Sequence, residues 1–307
     1  MKKFFRNENG FVENDVWLPH CWVNVECPDA SDIRFLTDEL NVPTSFIESV
    51  ADMEELPRFD HEGEWMLTIL RIPVKTRSGE RVPYRTVPLG IILCNEVVVT
   101  ICYAKSELIP DFIDYTRIKG IHIDQQADFI LRLEYSTTYW FLRYLKEIHR
   151  DVDKDEDQIG RKVRNEWLIE IMHVQNSLVY FNTSIQGNQM LLERMPHLFA
   201  DKYDAALLDD VDIEIRQAAN TINVYSTILM GMQDSLESII SNNVNDIMKK
   251  MTVVSIVLMI PTLIASFYGM NVAVAFGSSK YAFFLIIAAS MTLALVTFWI
   301  LKKVKWV

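Results

Sequence analysis

The chain has 307 residues, of which 50% are hydrophobic, and its formal net charge is −11. So acidic a chain lacks the basic face that phosphate groups require, which argues against nucleic acid as a partner. The sequence contains no phosphate-binding glycine loop, no nucleophile–base arrangement and no histidine pair with metal-ligand spacing. It therefore predicts neither an enzyme nor a bound cofactor.

Residues 1–118 are predicted to form a cytosolic α/β domain, the first part of an α+β fold. The β-branched runs at 65–74 and 87–103 predict strands, and Asn95-Glu96 predicts a two-residue turn within the second run. Two stretches predict short helices, at Ser31–Leu40 and Ser45–Met53.

An antiparallel pair of long amphipathic helices is predicted at 119–202. The residues that recur at three- and four-residue steps are Ile130, Leu133, Thr137, Trp140, Tyr144 and Ile148 in the first helix, and Trp167, Ile171, Val174, Leu178, Phe181 and Ile185 in the second. The charged segment 151–157 is predicted to be the turn between them. It does not match a calcium loop, because Glu156 stands where glycine is needed.

A third helix, the stalk at 203–250, carries two apolar rows with seven-residue spacing. The rows are Ile215, Ile222, Leu229 and Leu236, and Val211, Ala218, Tyr225, Met232 and Ile239. An ordinary bundle helix would explain these rows equally well. However, no breaker other than Gly231 follows before the membrane, so one helix is predicted from about residue 205 into the bilayer.

Two uncharged runs, at 251–270 and 281–301, predict transmembrane helices. At a rise of about 1.5 Å per residue, each run crosses a hydrocarbon core of roughly 30 Å. The linker at 271–280 is then a short extracytoplasmic loop.

The lysines predict the orientation of this hairpin. Lys249 and Lys250 precede the first span and the basic tail 302–307 follows the second, whereas Lys280 is the one lysine of the loop. Positive residues favour the cytoplasmic side, and no apolar signal core follows Met1, so both termini are predicted in the cytoplasm and the protein in the inner (plasma) membrane.

The first span ends in Phe267-Tyr268-Gly269-Met270-Asn271, and the chain ends with Lys302-Lys303-Val304-Lys305-Trp306-Val307. With the two C-terminal helices, these segments resemble the CorA family of magnesium transporters. The resemblance implies a funnel-shaped homopentamer in a lipid bilayer, in which five first spans line one axial pore. It also implies transport of divalent cations, Mg²⁺ with Co²⁺ and Ni²⁺ as further candidates, driven by the electrochemical gradient and gated by cytosolic divalent cation.

The resemblance also implies roles for individual residues. Gly269, Met270 and Asn271 form the pore mouth, where Asn271 amide oxygens accept hydrogen bonds from the waters of hydrated Mg²⁺. The implied pore-lining residues are Asn245, Met248, Met251, Met259, Thr262 and Ser266, and helical spacing adds Ser255 to the same stripe. Packing against the second span is an alternative explanation of this stripe.

Asp210 and Glu48 match family residues that bind regulatory Mg²⁺. Here Ser49 replaces a usual aspartate, and Asp209 and Asp212 are candidate substitutes. The predicted outer loop contains no acidic residue, unlike the family's usual loop. Two alternatives therefore stay open, a ZntB-like proton-coupled Zn²⁺ transporter and a non-conducting, membrane-anchored cation sensor.

Overall fold

The computed structural model describes residues 1–76, 80–95, 97–159, 165–200, 202–270, 281–304 and 306. The strands are β1 (Lys2–Glu8), β2 (Gly10–Asn14), β3 (Trp22–Glu26), β4 (Arg58–Glu62), β5 (Trp65–Lys75), β6 (Tyr84–Cys94) and β7 (Val97–Cys102). The helices are α1 (Ala30–Arg34), which continues into a π-helical turn (Phe35–Glu39), then α2 (Thr44–Ala51), α3 (Leu108–Lys119), α4 (Gln126–Ile159), α5 (Asn165–Phe199), α6 (Ala205–Tyr268) and α7 (Ala282–Lys303).

The chain divides into two compact units, Met1–Gly231 and Met232–Val307. The first unit contains a seven-stranded mixed sheet in the order β2-β1-β3-β7-β6-β5-β4. Its neighbouring strands are antiparallel except β3 and β7, which run parallel. Cys94 of β6 pairs with Val97 of β7. Glu96 of the predicted Asn95-Glu96 turn lies outside the described residues.

Helices cover both faces of the sheet. On one face, a core cluster joins Leu67 and Ile92 of the central strands to Leu36, Phe46 and Val50 of the α1–α2 region. On the other face, α4 and α5 pack on β5 and β6, and α3 packs on β2. Burial from both sides explains why eight consecutive residues are buried in each of β5 and β6.

The long helices bury the faces that their periodicity predicts. Every residue of the α4 row is at most 4% exposed, and Ile171, Leu178, Phe181 and Ile185 of α5 are at most 2% exposed. The prediction of a turn at 151–157 is wrong, because α4 continues to Ile159. The five acidic residues at 151–157 do not stop the helix, since Asp and Glu are weaker helix breakers than Gly or Pro.

Within the first unit, α6 buries residues of both predicted apolar rows. Val211, Ile215, Ala218 and Ile222 are at most 1% exposed, and Tyr225 stacks on the ring of His149 of α4 with centroids 5.0 Å apart. The predicted continuity is confirmed, since α6 is a single helix of 64 residues.

Candidate functional site

The second unit consists of the last part of α6 and the helix α7. α6 ends at Tyr268, and its hydrogen bonding fades over the next two residues, where the Gly269 N–H reaches the Ala265 carbonyl at 2.9 Å. The Met270 N–H lies 3.4 Å from the carbonyl oxygen of Phe267. Asn271 and the predicted loop 271–280 lie outside the described residues.

Both helices are long and apolar enough to cross a membrane. The apolar window of α6 has a mean hydropathy of 2.0 and that of α7 has 2.4, while only 6% and 11% of these windows are buried. A core helix of a soluble protein would be mostly buried instead. The second unit thus leaves most of its apolar surface uncovered.

One side of each helix in this unit is shielded from solvent. Among the described residues from 251 onward, the buried ones are Val253 of α6, at 2% exposure, and Ser290 and Ala294 of α7, at 7% and 6%. Half-buried residues extend the two stripes at helical spacing, namely Ile256, Val257, Ile260, Pro261 and Ile264 on α6, and Ile286, Thr297 and Leu301 on α7. We infer from their burial that these stripes form the contact between α6 and α7.

The predicted pore-lining residues lie on the other side of α6. All seven are exposed, and Met248, Met251 and Met259 are 63–64% exposed. At about 100° per residue, their stripe is centred roughly 150° around the helix from the stripe that contains Val253. Packing against α7 therefore does not explain these residues, contrary to the alternative that their spacing left open.

Two hydroxyl groups of the stripe donate their protons to backbone carbonyls. Ser255 donates to the carbonyl of Met251 at 2.9 Å, and Thr262 donates to the carbonyl of Leu258 at 2.8 Å. Each hydroxyl oxygen keeps its lone pairs as hydrogen-bond acceptors. Such oxygens can accept hydrogen bonds from the water shell of a cation.

Two further residues on the side of the stripe were not predicted from the sequence. Thr252 is exposed, four positions after Met248, and Leu263 is 55% exposed, four positions after Met259. The same three- and four-residue steps identify both of them. Neither residue is among the positions that the family resemblance implies.

The two predicted regulatory acids lie in the first unit. Glu48 is exposed on α2, and Asp210 is exposed on α6. Burial raises the pKa of Tyr135, and the charges of Glu214 and Asp210 raise it further, so Asp210 acts electrostatically on α4. Among the residues that the structure describes, no three His, Cys, Asp or Glu side chains are grouped to hold a metal.

The position of Ser49 shows what replaces the usual aspartate. Its hydroxyl donates to the Ser45 carbonyl at 2.9 Å and accepts from the Arg58 guanidinium at 3.1 Å. One candidate substitute, Asp212, is engaged with Arg216 at 2.7 Å. The Ser49 hydroxyl is therefore in contact with a guanidinium, and the Asp212 carboxylate is paired with another.

Comparison with known proteins matches nearly the whole chain to one family. The family model described as CorA-like Mg²⁺ transporter protein matches residues 19–303. The cobalt/magnesium transport protein CorA of Methanocaldococcus jannaschii is 22% identical over 293 residues, which cover 93% of this chain and 91% of that protein.

Two solved structures share the fold. The complete CorA magnesium transporter of Methanocaldococcus jannaschii superposes with a TM-score of 0.82 at 20% identity and covers 100% of this chain and 99% of that chain. The ZntB cytoplasmic domain of Vibrio parahaemolyticus has a TM-score of 0.60 at 14% identity, covering 78% and 98%. The predicted architecture of an α/β domain, long helices and a C-terminal apolar hairpin is thus confirmed.

Proposed function

We propose that this chain, which belongs to the CorA-like Mg²⁺ transporter family, carries divalent metal cations across a membrane through a pore lined by α6. Mg²⁺ is the primary substrate, with Co²⁺ and Ni²⁺ as further substrates. The observation that carries the proposal is the exposed stripe from Asn245 to Ser266, which faces away from α7. In an assembly around an axis, such stripes meet at the centre.

The proposed assembly is a homopentamer. Besides the stripe, α6 exposes Ile213, Val224 and Ile228, at 61%, 47% and 45%. Counted at about 100° per residue, these residues lie opposite the row of Ile215 and Ile222. A second copy of the chain would cover them. Self-association therefore gives both exposed sides of α6 a partner.

In the proposed topology, α6 and α7 cross the inner (plasma) membrane and both termini are cytoplasmic. Lys249 and Lys250, on α6, and Lys302 and Lys303, at the end of α7, then lie on the same side of the membrane. Exposed Trp299 and Trp306 suit the interfacial region beside them. Lipid covers the outer face of α7.

The stripe offers chemistry that suits hydrated Mg²⁺. This ion loses its waters reluctantly, so oxygen atoms of Thr262, Ser266 and Asn271 would bind its first-shell waters rather than the metal itself. Rings of Met251 and Met259 would form an apolar constriction that closes when water leaves it. A divalent ion gains about 4.6 kcal/mol by moving through 100 mV, so no other energy source is needed for import.

Regulation is proposed at Asp210 and Glu48, whose carboxylates would bind cytosolic divalent cation between neighbouring copies. Asp210→Ala is then expected to raise several-fold the cytosolic Mg²⁺ concentration that half-inhibits uptake, because one carboxylate ligand is lost. Asp234→Ala, the same substitution at an exposed position of α6, serves as the control. Equal inhibition of the Asp210 variant and wild type would place the sensor elsewhere.

The proposed transport can be tested with purified protein in liposomes. Uptake of Mg²⁺, Co²⁺, Ni²⁺ and Zn²⁺ is measured under a potential that is negative inside, with and without a pH gradient. The proposal expects Mg²⁺ uptake that depends on the potential alone. Zn²⁺ uptake that requires the pH gradient would indicate the ZntB-like alternative, and no flux of any ion would indicate the sensor.

A further inference from the structure

A carboxylic acid with no known role lies inside the first unit. Glu134 of α4 is 1% exposed, and its oxygen Oε2 lies 3.4 Å from the side-chain nitrogen of Asn188. The proposed pore and the proposed regulatory acids do not use it. A buried carboxyl with one long hydrogen bond is poorly suited to carry a charge.

Asn188 connects this carboxyl to the sheet. It is itself 1% exposed, its oxygen accepts the N–H of Arg71 at 3.0 Å, and its nitrogen donates to the Arg71 carbonyl at 3.0 Å. These two bonds fix the orientation of the amide, because only one orientation satisfies both backbone groups. Glu134, Asn188 and Arg71 thus join α4, α5 and β5 in one hydrogen-bonded cluster.

The charged groups on the elements packed against α4 are engaged elsewhere. The Arg71 guanidinium donates to the carbonyls of Met53, Glu55 and Thr86. Four other charged residues have partners of their own. Lys75 forms an ion pair with Glu147, Arg85 with Glu80 and Asp114 with Arg117, and Asp111 accepts a hydrogen bond from Trp140.

The remaining groups do not offset a charge on Glu134 either. On α5, Glu170, Glu193, Arg194 and His197 are exposed, and His173 is half-buried. On α4 itself, Arg132 is half-buried two positions away. On α6, which contacts α4 at Tyr225, Asp210 and Glu214 are acidic, and Arg216 is paired with Asp212 at 2.7 Å. Burial raises the pKa of Glu134 to about 8, and the hydrogen bond from Asn188 opposes this only in part.

We propose that Glu134 is a proton-binding site that holds α4 and α5 against β5 while its carboxyl is neutral, and that ionisation loosens this junction. The neutral acid fits the apolar site and accepts the Asn188 bond without a charge to solvate. The carboxylate would need water or a cation, and neither α5 nor β5 supplies one at this position. Either water enters or the helices separate from the strand, and both weaken the Asn188–Arg71 bonds.

The pH dependence of the stability follows from the ionisation of Glu134 in the unfolded and folded states. The unfolded chain ionises near the ordinary value of 4.5, whereas the folded protein holds the proton up to about 8. The stabilisation from this group is therefore complete below pH 4.5, falls as the pH rises to 8, and changes no further above it.

The test compares full-length wild type with Glu134→Gln, which keeps the shape and cannot ionise. In detergent micelles, the melting temperature of wild type minus that of the variant should fall by about 3 °C per pH unit between pH 5.5 and 8, then level off. Glu193→Gln, at an exposed position of α5, should follow wild type. A difference that does not change with pH overturns the proposal.

Hydrogen exchange of the wild type gives a second measurement, which does not depend on whether the variant folds. The Arg71 N–H, bonded to Asn188, should lose protection between pH 7 and 9 after correction for the intrinsic rate, while amides in the centre of β7 should keep theirs. Equal protection at both pH values contradicts the proposal. Neither measurement depends on ion flux, so failure here and failure of the proposed transport are separate results.

Discussion

Asn271→Ala is expected to reduce Mg²⁺ uptake into proteoliposomes to the level of empty liposomes. Asn271 follows Gly269 and Met270, the two residues directly after the end of α6. In the proposed pore its amide oxygens form the first ring that a hydrated ion meets, and alanine offers no acceptor for the ion's waters. The loss should affect the rate of uptake and leave the amount of reconstituted protein unchanged.

The matched control for this variant is Asn242→Ala. Asn242 is exposed on α6, roughly 130° around the helix from the centre of the pore stripe. Removal of an amide there should leave uptake near the wild-type rate. If both variants transport as wild type does, the proposed pore mouth is wrong.

The second large effect is expected in the opposite direction. Changing both Met251 and Met259 to Ser should raise resting Mg²⁺ uptake about tenfold, the change that a barrier lowered by about 1.4 kcal/mol produces. Both thioethers are 64% exposed on the stripe, where rings of them would keep the closed pore dry. Hydroxyl groups at these positions would keep it wet.

Resting uptake is measured in vesicles loaded with Mg²⁺, the condition that is proposed to close the pore. Val254→Ser is the control, since Val254 is 55% exposed on the same helix and lies about 110° from the stripe. An equal leak in this control would mean that any polar residue destabilises the helix. If the double variant does not leak, Met251 and Met259 do not form the proposed constriction.

Much of the helical architecture could be predicted from the sequence, because long helices repeat their signal many times. The seven-residue rows of α6 and the faces of α4 and α5 each contain four or more apolar residues, and burial follows them except at Ile239, which is 44% exposed. The buried strands β5 and β6 were also apparent, since both of their faces are apolar.

The outer parts of the sheet were missed for a physical reason. β1 begins with Lys2 and Lys3, and β4 has the sequence Arg58-Phe59-Asp60-His61-Glu62. Strands with one covered face need few apolar residues, and their pairing partners are distant in sequence, as with β3 and β7. α3 was missed as well, although Gly120 ends it in a left-handed conformation typical of helix ends.

For the candidate site, the sequence motif indicated which residues to consider, and the structure added their direction. Spacing alone placed Met251, Ser255 and Thr262 on one stripe without deciding what the stripe faces. The shielding of Val253, Ser290 and Ala294 decided that it does not face α7. Glu134 could not have been found from sequence, because a glutamate in an amphipathic helix is usually exposed.

The central claim, that one side of α6 faces an aqueous ion pathway, is tested most directly by cysteine accessibility. In right-side-out vesicles, a membrane-impermeant thiol reagent is added outside to Thr262→Cys, Ser266→Cys and Ile264→Cys, with wild type as background. The account predicts that modification blocks Mg²⁺ uptake in the first two variants and spares Ile264→Cys, which is half-buried on the α7 side. Block at Ile264 with free uptake at Thr262 and Ser266 would contradict it.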